Sequence, residues 1–478
     1  MKKAILLILI AVFAVTIVAF GSSCTTQTAQ TTAAAETTAA AETTAAEAAE
    51  ETTAAATEAG EPKVCRIWFW GEDEAPGLTD FMTWVGEEYT KRIDPNVTWE
   101  VTHLDIDAIY TGFYAASEAG DAPELHTLWG GVLGFEPAWA GLLAPISDYV
   151  SEETLSTVIP VCRHDGYWNG QDWLIPLYVN PWPLMINKQV WSDSGLDPDN
   201  PPTTWADFMT AVGKIKDAGY TPWCVGIKDG FYGTWFPCIM AFQQYPPQDY
   251  QKAIIGDTSL AEPLQSDRWN QVEDLFKNGA FNPDVNSLSL AEGQDLFLQG
   301  NVGMIHASGN AYMAMIAETL GEENVAVWIP PVDSTSEYAG TIPVSSQPVA
   351  IPAAAKYKEE AGKFLEFFYS AEIQNEMYKQ ISVFSGSTLL ERDSMKTDLD
   401  RTLFDLVQNK PGWLYAWQHP GAVEEASYAI TQELLAGSID AAEAASKYEA
   451  AAEKWRTENP EALENYKIWA NEDFPFME

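Results

Sequence analysis

The hydrophobic positions between residues 63 and 129 alternate between two patterns. A largely apolar run at residues 65–70, an alternating segment at 97–104, and residues 123–129, which are stopped by two glycines, predict three strands. Residues 78–92 and 107–119 instead carry apolar side chains at helical spacing. This order predicts a parallel α/β sheet. Ligands bind such sheets beyond the carboxyl ends of the strands, which here fall at residues 68–72 and 129–131.

Residues 176–205 are predicted to connect two globular lobes. They begin as a strand, pass through the Asn180-Pro181-Trp182 step, and return as a second strand at 184–186. Thr204 then has the side chain of a helix N-cap. We interpret the stretch as a crossover that passes a binding cleft, with residues 178–183 as its functional part and the remainder as scaffold.

The second lobe continues with helices at 269–276 and 290–298 and strands at 300–306 and 325–329. Residues 339–351 return as an extended segment, 358–370 form a helix, and the long, Ala-rich tail 423–456 is predicted to be helical. We therefore predict one lobe from residues 61–179 with 333–384, and a second from 180–332 with 385–478.

The amino terminus has the form of an export signal. A basic start precedes an apolar run at residues 4–20, and small residues then precede Cys24. This ending resembles a bacterial lipobox, although Gly21 stands where Leu is usual, so we predict a signal peptide over 1–24 and lipidation of Cys24. Ordinary cleavage and an uncleaved anchor helix are the alternatives. Residues 25–60, rich in Thr, Ala and Glu, are expected to be a disordered tether.

An exported location permits disulfides between the cysteines that remain after Cys24, which are Cys65, Cys162, Cys224 and Cys238. Three pairings are open to four cysteines, and we favour Cys224 with Cys238 because they are close in sequence. None of them has the CxxC spacing of a zinc site.

Charge and motifs exclude several functions. The formal net charge of −43 argues against nucleic acid and against a basic membrane-binding patch. Phosphate-binding glycine loops and the GxSxG elbow are missing from the sequence. His103, Asp105 and Asp107 read as a polar strand end rather than a metal site. We expect no cofactor, no metal and no catalytic residue.

Aromatic side chains recur beside Gly, Pro and Asn, where loops are expected. A sugar ring has apolar C–H faces that stack on Trp, and hydroxyls that bond to Asn, Asp and Glu. For any one Trp, packing within a lobe is an equally good explanation, but the recurrence favours a sugar site. The residues that suit this task are Trp70, Glu72, Trp129, Asn180, Trp182 and Trp235.

Three segments, in this order behind the export signal, carry a family resemblance. Residues 175–191 with 195–223 are similar to a proline–strand–Tyr-Asn-Lys–Pro-x-Thr-Trp signature. Residues 297–312 resemble Phe-x-x-Gly-x-x-x-Met followed by Gly-x-Trp, and residues 348–378 resemble a strand followed by a Lys-x-x-Ala-x-x-Phe-Leu helix. Over nearly all of the mature chain the sequence resembles the extracellular solute-binding proteins of carbohydrate ABC transporters, the maltose-binding-type lipoproteins.

The resemblance implies a two-lobed α/β fold of the periplasmic-binding-protein type, with crossover hinge strands and the ligand between the lobes. Two departures are Asn310, where many members have Trp, and Ile186, where Tyr is common. Together with the aromatic pattern, it gives a set of expected ligand contacts, which is Trp70, Glu72, Asp73, Trp129, Tyr178, Asn180, Trp182, Trp235, Asn310, Trp413 and Trp417.

The leading hypothesis is a non-enzymatic receptor, lipid-anchored outside the cytoplasm, that passes a sugar or oligosaccharide to ABC transporter permease subunits. We expect it to be a monomer. One alternative is a cell-surface glycan-degrading enzyme, for which Glu72, Asp73 and Glu74 would offer one acid of a catalytic pair. The other is the same fold binding a polyamine or a peptide.

Overall fold

The computed structural model describes residues 61–233, 243, 246–261, 263–331, 338–413 and 415–477. The predicted signal, the tether, Cys24, Trp235 and Cys238 lie outside these residues. The strands are β1 (Lys63–Phe69), β2 (Val97–His103), β3 (Leu125–Thr127), β4 (Leu143–Ala144), β5 (Tyr167–Trp168), β6 (Gln171–Asp172), β7 (Ile175–Pro181), β8 (Leu184–Asn187), β9 (Thr221–Trp223), β10 (Val302–His306), β11 (Val325–Trp328), β12 (Ile342–Pro352) and β13 (Pro411–Trp413).

Helices surround the strands, and short 3-10 turns occur at Ile146–Asp148, Glu322–Asn324, Arg392–Ser394 and Tyr415–Gln418. The described α-helices are α1 (Leu78–Arg92), α2 (Ala108–Ala119), α3 (Val132–Trp139), α4 (Glu152–Leu155), α5 (Pro160–His164), α6 (Lys188–Asp193), α7 (Trp205–Asp217), α8 (Pro247–Ile255), α9 (Pro263–Lys277), α10 (Leu290–Leu298), α11 (Gly309–Leu320), α12 (Lys358–Phe368), α13 (Ala371–Ile381), α14 (Asp398–Asn409), α15 (Gly421–Leu435), α16 (Ala441–Glu458) and α17 (Pro460–Ala470).

Two sheets organise the fold. The larger has the strand order β13-β12-β3-β1-β2, and β4 and β7 also pair with β12. Strand β1 runs parallel to both β2 and β3, as the alternating pattern predicts. The smaller sheet has the order β11-β8-β10-β9. The chain is therefore mixed α/β, and parallel pairs also join β10 to β9 and β12 to β13.

The chain passes between the two sheets at residues 181–184, from β7 into β8, and returns between β11 and β12. This confirms the predicted strand–step–strand pattern of the crossover. The Thr204 hydroxyl accepts a hydrogen bond from the Asp207 amide at 3.1 Å, so the predicted N-cap of α7 is also confirmed. The proposed boundaries of the two lobes stay a prediction.

The tail is helical, as predicted, but it is divided: Gly437, in the left-handed region at φ 68°, lies between α15 and α16, which pack against each other. The favoured disulfide is wrong, because Cys224 is a free buried thiol, as are Cys65 and Cys162. Burial raises the pKa of the Cys65 thiol to about 12.

A search of the described residues found no helix with the length and apolarity needed to span a membrane. Nor did the same residues show a group of three or more His, Cys, Asp or Glu side chains placed to hold a metal ion.

Candidate ligand-binding site

A cavity of about 250 Å³ lies beyond the carboxyl ends of β1, β2 and β3. The segments after these strands reach it first, and β12, α3 and α15 contribute the rest of its wall together with the turn at Tyr415–Gln418. The side chains that line it are Trp70, Glu74, Ile106, Trp129, Leu133, Phe231, Gln347, Trp417, Glu424 and Tyr428. The site therefore occupies the sheet edge at which parallel α/β folds bind ligands.

Three tryptophans form one continuous aromatic wall. The ring of Trp70 stands edge-on to Trp129, with centroids 5.1 Å apart, and Trp129 lies parallel to Trp417 at 5.9 Å. The backbone amide of Trp129 donates to the Tyr110 hydroxyl at 3.2 Å, and that hydroxyl donates to the Leu133 carbonyl at 3.1 Å. Local hydrogen bonds thus fix the strand end that presents Trp129, and the wall offers flat apolar surface.

A buried polar network holds the turn that carries Trp417. The neighbouring Gln418 side chain donates to Asp165 Oδ1 at 3.2 Å and accepts from the Gln251 side chain at 2.7 Å. The Tyr466 hydroxyl donates to the Gln418 carbonyl at 2.7 Å. Because these contacts come from separate parts of the chain, Trp417 is positioned by tertiary structure rather than by its own short turn.

Glu74 is the acidic group at the base of the cavity. The Tyr178 hydroxyl at 3.3 Å, the Gln347 amide at 3.1 Å and the Asn180 amide all donate to its Oε2 atom. Burial raises the pKa of the Glu74 carboxyl to about 7 in spite of these three donors, and the nearby charge of Asp73 adds to the rise. At neutral pH this carboxyl therefore titrates.

A second acid faces the same cavity from α15. Glu424 is 7% exposed, and burial raises the pKa of its carboxyl to about 7, while the Tyr428 hydroxyl bonds to it and opposes the rise. Two carboxyls thus share one largely apolar cavity.

Gln347 lines the cavity from β12 and helps to hold Glu74. Its side-chain NH₂ group donates to Glu74 Oε2, since a carboxylate oxygen accepts. Gln347 is 1% exposed, so its contribution to the site is to position the Glu74 carboxyl.

The structure brings five of the predicted contact residues together. Trp70, Trp129 and Trp417 line the cavity directly. Tyr178 and Asn180, both buried on β7, stand behind the wall and hold Glu74. The crossover strand thus contributes to the site through Glu74.

The other two predicted acids are placed differently. Glu72 accepts hydrogen bonds from the backbone amides of Gly77 at 2.7 Å and Thr79 at 2.8 Å, and from the Thr79 hydroxyl at 2.7 Å. Burial raises its pKa, but these bonds outweigh burial and leave the pKa lowered. Glu72 therefore closes the amino-terminal end of α1, and Asp73 is exposed to solvent.

Trp182 is buried, although its position between two prolines predicted a residue that faces the cleft. It is 1% exposed, its ring stacks on Tyr232 at 5.9 Å, and its indole N–H donates to the Ser345 hydroxyl at 3.2 Å. That hydroxyl in turn donates to the Asn180 carbonyl at 3.2 Å. These contacts fasten the crossover to β12.

Asn310 and Trp413 also make their described contacts within the protein. The Asn310 side chain donates to the Ser382 carbonyl and accepts from the Phe384 amide, so it joins α11 to the end of α13. Trp413 on β13 is 6% exposed and packs edge-on against Tyr338 at 5.4 Å. The remaining predicted contact, Trp235, is outside the described residues.

Sequence patterns missed several lining residues. Glu74 is two positions from Glu72, and only the turn that follows β1 decides which of them faces the cavity. Of the others, Ile106 lies in the turn before α2, and the rest lie in helices or in the buried strand β12, where a lining residue and a core residue have the same pattern. These other residues are Ile106, Leu133, Phe231, Gln347, Glu424 and Tyr428.

Residues 75–375 match the family model described as bacterial extracellular solute-binding protein. The chain belongs to this family. Membership places the solute-binding protein outside the cytoplasm and confirms the predicted resemblance.

Curated relatives match in part. The solute-binding protein is 23% identical over 232 residues to a binding protein of Brucella abortus, across 48% of this chain and 55% of that one. It is 26% identical over 213 residues to the sn-glycerol-3-phosphate-binding periplasmic protein UgpB of Agrobacterium fabrum, across 41% of this chain and 45% of that one. The chain thus spans about half the length of the curated relatives that it matches.

Solved structures share the fold over most of both chains. A chitin oligosaccharide binding protein has a TM-score of 0.71 and 19% identity, across 83% of this chain and 99% of that one. The GacH receptor of Streptomyces glaucescens has a TM-score of 0.66 and 16% identity, across 83% and 98%. This likeness confirms the predicted two-lobed α/β fold of the solute-binding protein.

Proposed function

We propose that this solute-binding protein binds a sugar or oligosaccharide in the cavity beyond β1, β2 and β3 and delivers it to an ABC importer. The observation that carries the proposal is the aromatic wall of Trp70, Trp129 and Trp417 beside Glu74 and Gln347. Sugar C–H faces stack on such rings, and hydroxyls donate to the acceptors. The names of the structural relatives, which include a chitin oligosaccharide binding protein, support the same ligand class.

Delivery of the sugar to an importer requires two partners, the membrane and the permease subunits. We propose that lipid on Cys24 tethers the chain to the membrane and that residues 25–60 hold the binding domain away from it. The binding domain would act as a monomer on permease subunits. The strong negative charge disfavours nucleic acid as a partner.

Closure of two lobes is the proposed binding mechanism. The lobes would comprise residues 61–179 with 333–384, and 180–332 with 385–478, and would rotate about the crossings between the sheets. Trp70 and Trp129 follow strands of the larger sheet, whereas Phe231 follows β9 of the smaller one. A ligand that contacts both groups of residues favours the closed state.

A catalytic function is the second candidate, because Glu74 and Glu424 face one cavity and each has a pKa raised to about 7. Such acids serve glycoside hydrolysis as proton donors. We favour binding alone, since the family and the structural relatives are binding proteins. Incubation with a glycan panel distinguishes the two: released reducing ends that disappear in Glu74→Gln would establish the enzyme.

The proposed function is tested by calorimetry of the purified chain against a sugar panel. Trp129→Ala should reduce the affinity for a bound sugar at least about tenfold, because a stacking face is lost. Tyr114→Ala is the matched control, since Tyr114 is an aromatic residue on α2 with 42% exposure and no part in the cavity wall. Unchanged affinity in Trp129→Ala would remove the aromatic wall from the site.

A further inference from the structure

The polar atoms that face the cavity are weighted toward hydrogen-bond acceptors. All three described donors to Glu74 converge on Oε2, so its Oε1 atom receives none of them. Glu424 adds a second carboxyl. This pattern matches a ligand that is rich in donors.

The cavity also lacks positive charge. Lys, Arg and His are absent from the described lining residues. The segments between the described ranges of residues 61–478 contain none of these residue types in their sequence either. The groups that hold Glu74 are a phenol and two amides, all neutral. The protein therefore supplies the cavity with carboxyls, and its described lining residues carry no positive charge.

The remaining lining is aromatic. Trp70, Trp129, Phe231, Trp417 and Tyr428 contribute rings. The face of an aromatic ring attracts a cation, and the attraction grows when water is excluded. Two carboxyls and several rings around a space of about 250 Å³ form a lining complementary to a compact cation.

We infer that the ligand of this cavity is a saccharide that carries a protonated amino group, with the ammonium between Glu74 and Glu424 and a sugar ring on the tryptophan wall. The inference rests on the proposed sugar-binding function and specifies its substrate class. An ammonium has three donors and no acceptor, which suits the carboxylate oxygens of Glu74 and Glu424. A phosphorylated or uronic sugar would place a negative charge beside two carboxyls and should be rejected.

The test uses β-1,4-linked dimers of glucosamine, N-acetylglucosamine and glucose, which differ only at C2, together with their monomers and the corresponding galacto compounds. Calorimetry is performed at a pH at which the amine is protonated. We expect the aminated sugar to bind at least about tenfold more tightly than its neutral counterparts, and glucose 6-phosphate to bind more weakly than glucose. Raising the salt concentration should reduce this preference only slightly if the charges are buried.

Glu74→Gln and Glu424→Gln should each remove most of the preference for the amine and retain binding of a neutral sugar. Glu118→Gln is the control, because Glu118 is exposed on α2, lies outside the cavity lining, and its replacement changes the net charge equally. Loss of the preference in Glu118→Gln as well would mean that overall charge causes it, and would overturn the inference. Melting temperatures of all variants establish that they are folded. If one of the two variants, Glu74→Gln or Glu424→Gln, does not fold, the other one still tests the inference.

The outcomes separate the two proposals. Neutral sugars that bind as tightly as aminated ones overturn the charge selection and leave the sugar-binding function standing. Binding of a polyamine such as spermidine, without binding of any saccharide, overturns both. Failure of every saccharide and amine to bind also overturns both.

Discussion

Gly131 packs against the backbone carbonyl of Trp417 with no room for a side chain. A Cβ atom on Gly131 would lie 2.0 Å from that oxygen, and the glycine has a φ of 63°. Glycine is therefore required at this position for both its missing side chain and its backbone conformation. The contact joins the end of β3 to the turn that supplies the third ring of the aromatic wall.

The first prediction concerns this contact. Gly131→Ala should displace Trp417 and weaken sugar binding at least about tenfold, with a loss of about 2–3 kcal/mol in the free energy of unfolding. Gly141→Ala isolates backbone strain, because Gly141 has a φ of 72° and open space around its Cβ position. Calorimetry and chemical denaturation measure the two effects, and equal affinities in the two variants would refute the positioning of Trp417 by Gly131.

The second prediction follows from the titration of Glu74. A carboxyl whose pKa is higher in the folded than in the unfolded state binds its proton more tightly when folded, so its contribution to stability falls as pH rises. For Glu74 this fall runs from the ordinary value near 4.5 through about 7. Relative to wild type, Glu74→Gln should therefore gain stability between pH 5 and pH 8, by at most about 3 kcal/mol.

The measurement is the difference in unfolding free energy between variant and wild type across that range. Three other buried groups titrate in both proteins, so their contributions cancel in the difference. Burial raises the pKa of Glu424 and lowers the pKa values of His126 and His306. Glu118→Gln, at an exposed position of α2, should give a nearly constant difference. A constant difference for Glu74→Gln too would show that Glu74 has an ordinary pKa.

The third prediction addresses the donors to Glu74. Tyr178→Phe removes a hydroxyl that stabilises the charged carboxylate, so the pKa of Glu74 should rise by a few tenths of a unit to about one unit. Tyr369→Phe is the control, because the Tyr369 hydroxyl donates to the Pro176 carbonyl on the same strand, at 2.7 Å. Carbon NMR of labelled glutamate detects the shift, and a shift of the same size in the control would disprove a direct effect.

The fourth prediction separates the role of Glu72 from that of Glu74. Glu72→Ala removes an acceptor of three hydrogen bonds at the start of α1 and should lower stability by about 1–2 kcal/mol. Sugar affinity should change less than about twofold. Asp80→Asn, in the first turn of the same helix, controls for charge near the helix end. A large loss of affinity in Glu72→Ala would restore it as a ligand contact.

The alternation of patterns in the sequence sufficed for β1, α1, β2, α2 and β3, because each has one buried face and a simple period. It sufficed for the position of the site as well, since parallel strands expose their carboxyl ends at one edge. Trp70 and Trp129 were found by this rule. The broken tail was missed because Gly437 lies in an Ala-rich stretch that favours helix on both sides.

The failures have a common physical cause. Trp182, Asn310 and Trp413 stand beside turn-forming residues, and such neighbours accompany both cleft residues and residues that tie elements together. To tell a cleft residue from a residue that ties elements together, one must know its contact partner, which for Trp182 is Ser345. Gln347 meets Glu74 across 273 positions, a contact that no local pattern encodes.

The wide spacing of the cavity residues along the chain has a consequence for biogenesis. Trp70 and Trp129 follow the first strands to be synthesised, whereas Trp417, Glu424 and Tyr428 come from a late part of the chain. Contacts between such distant segments form late in folding. A nascent or truncated chain that ends before Trp417 therefore carries two of the three rings of the aromatic wall and lacks the third.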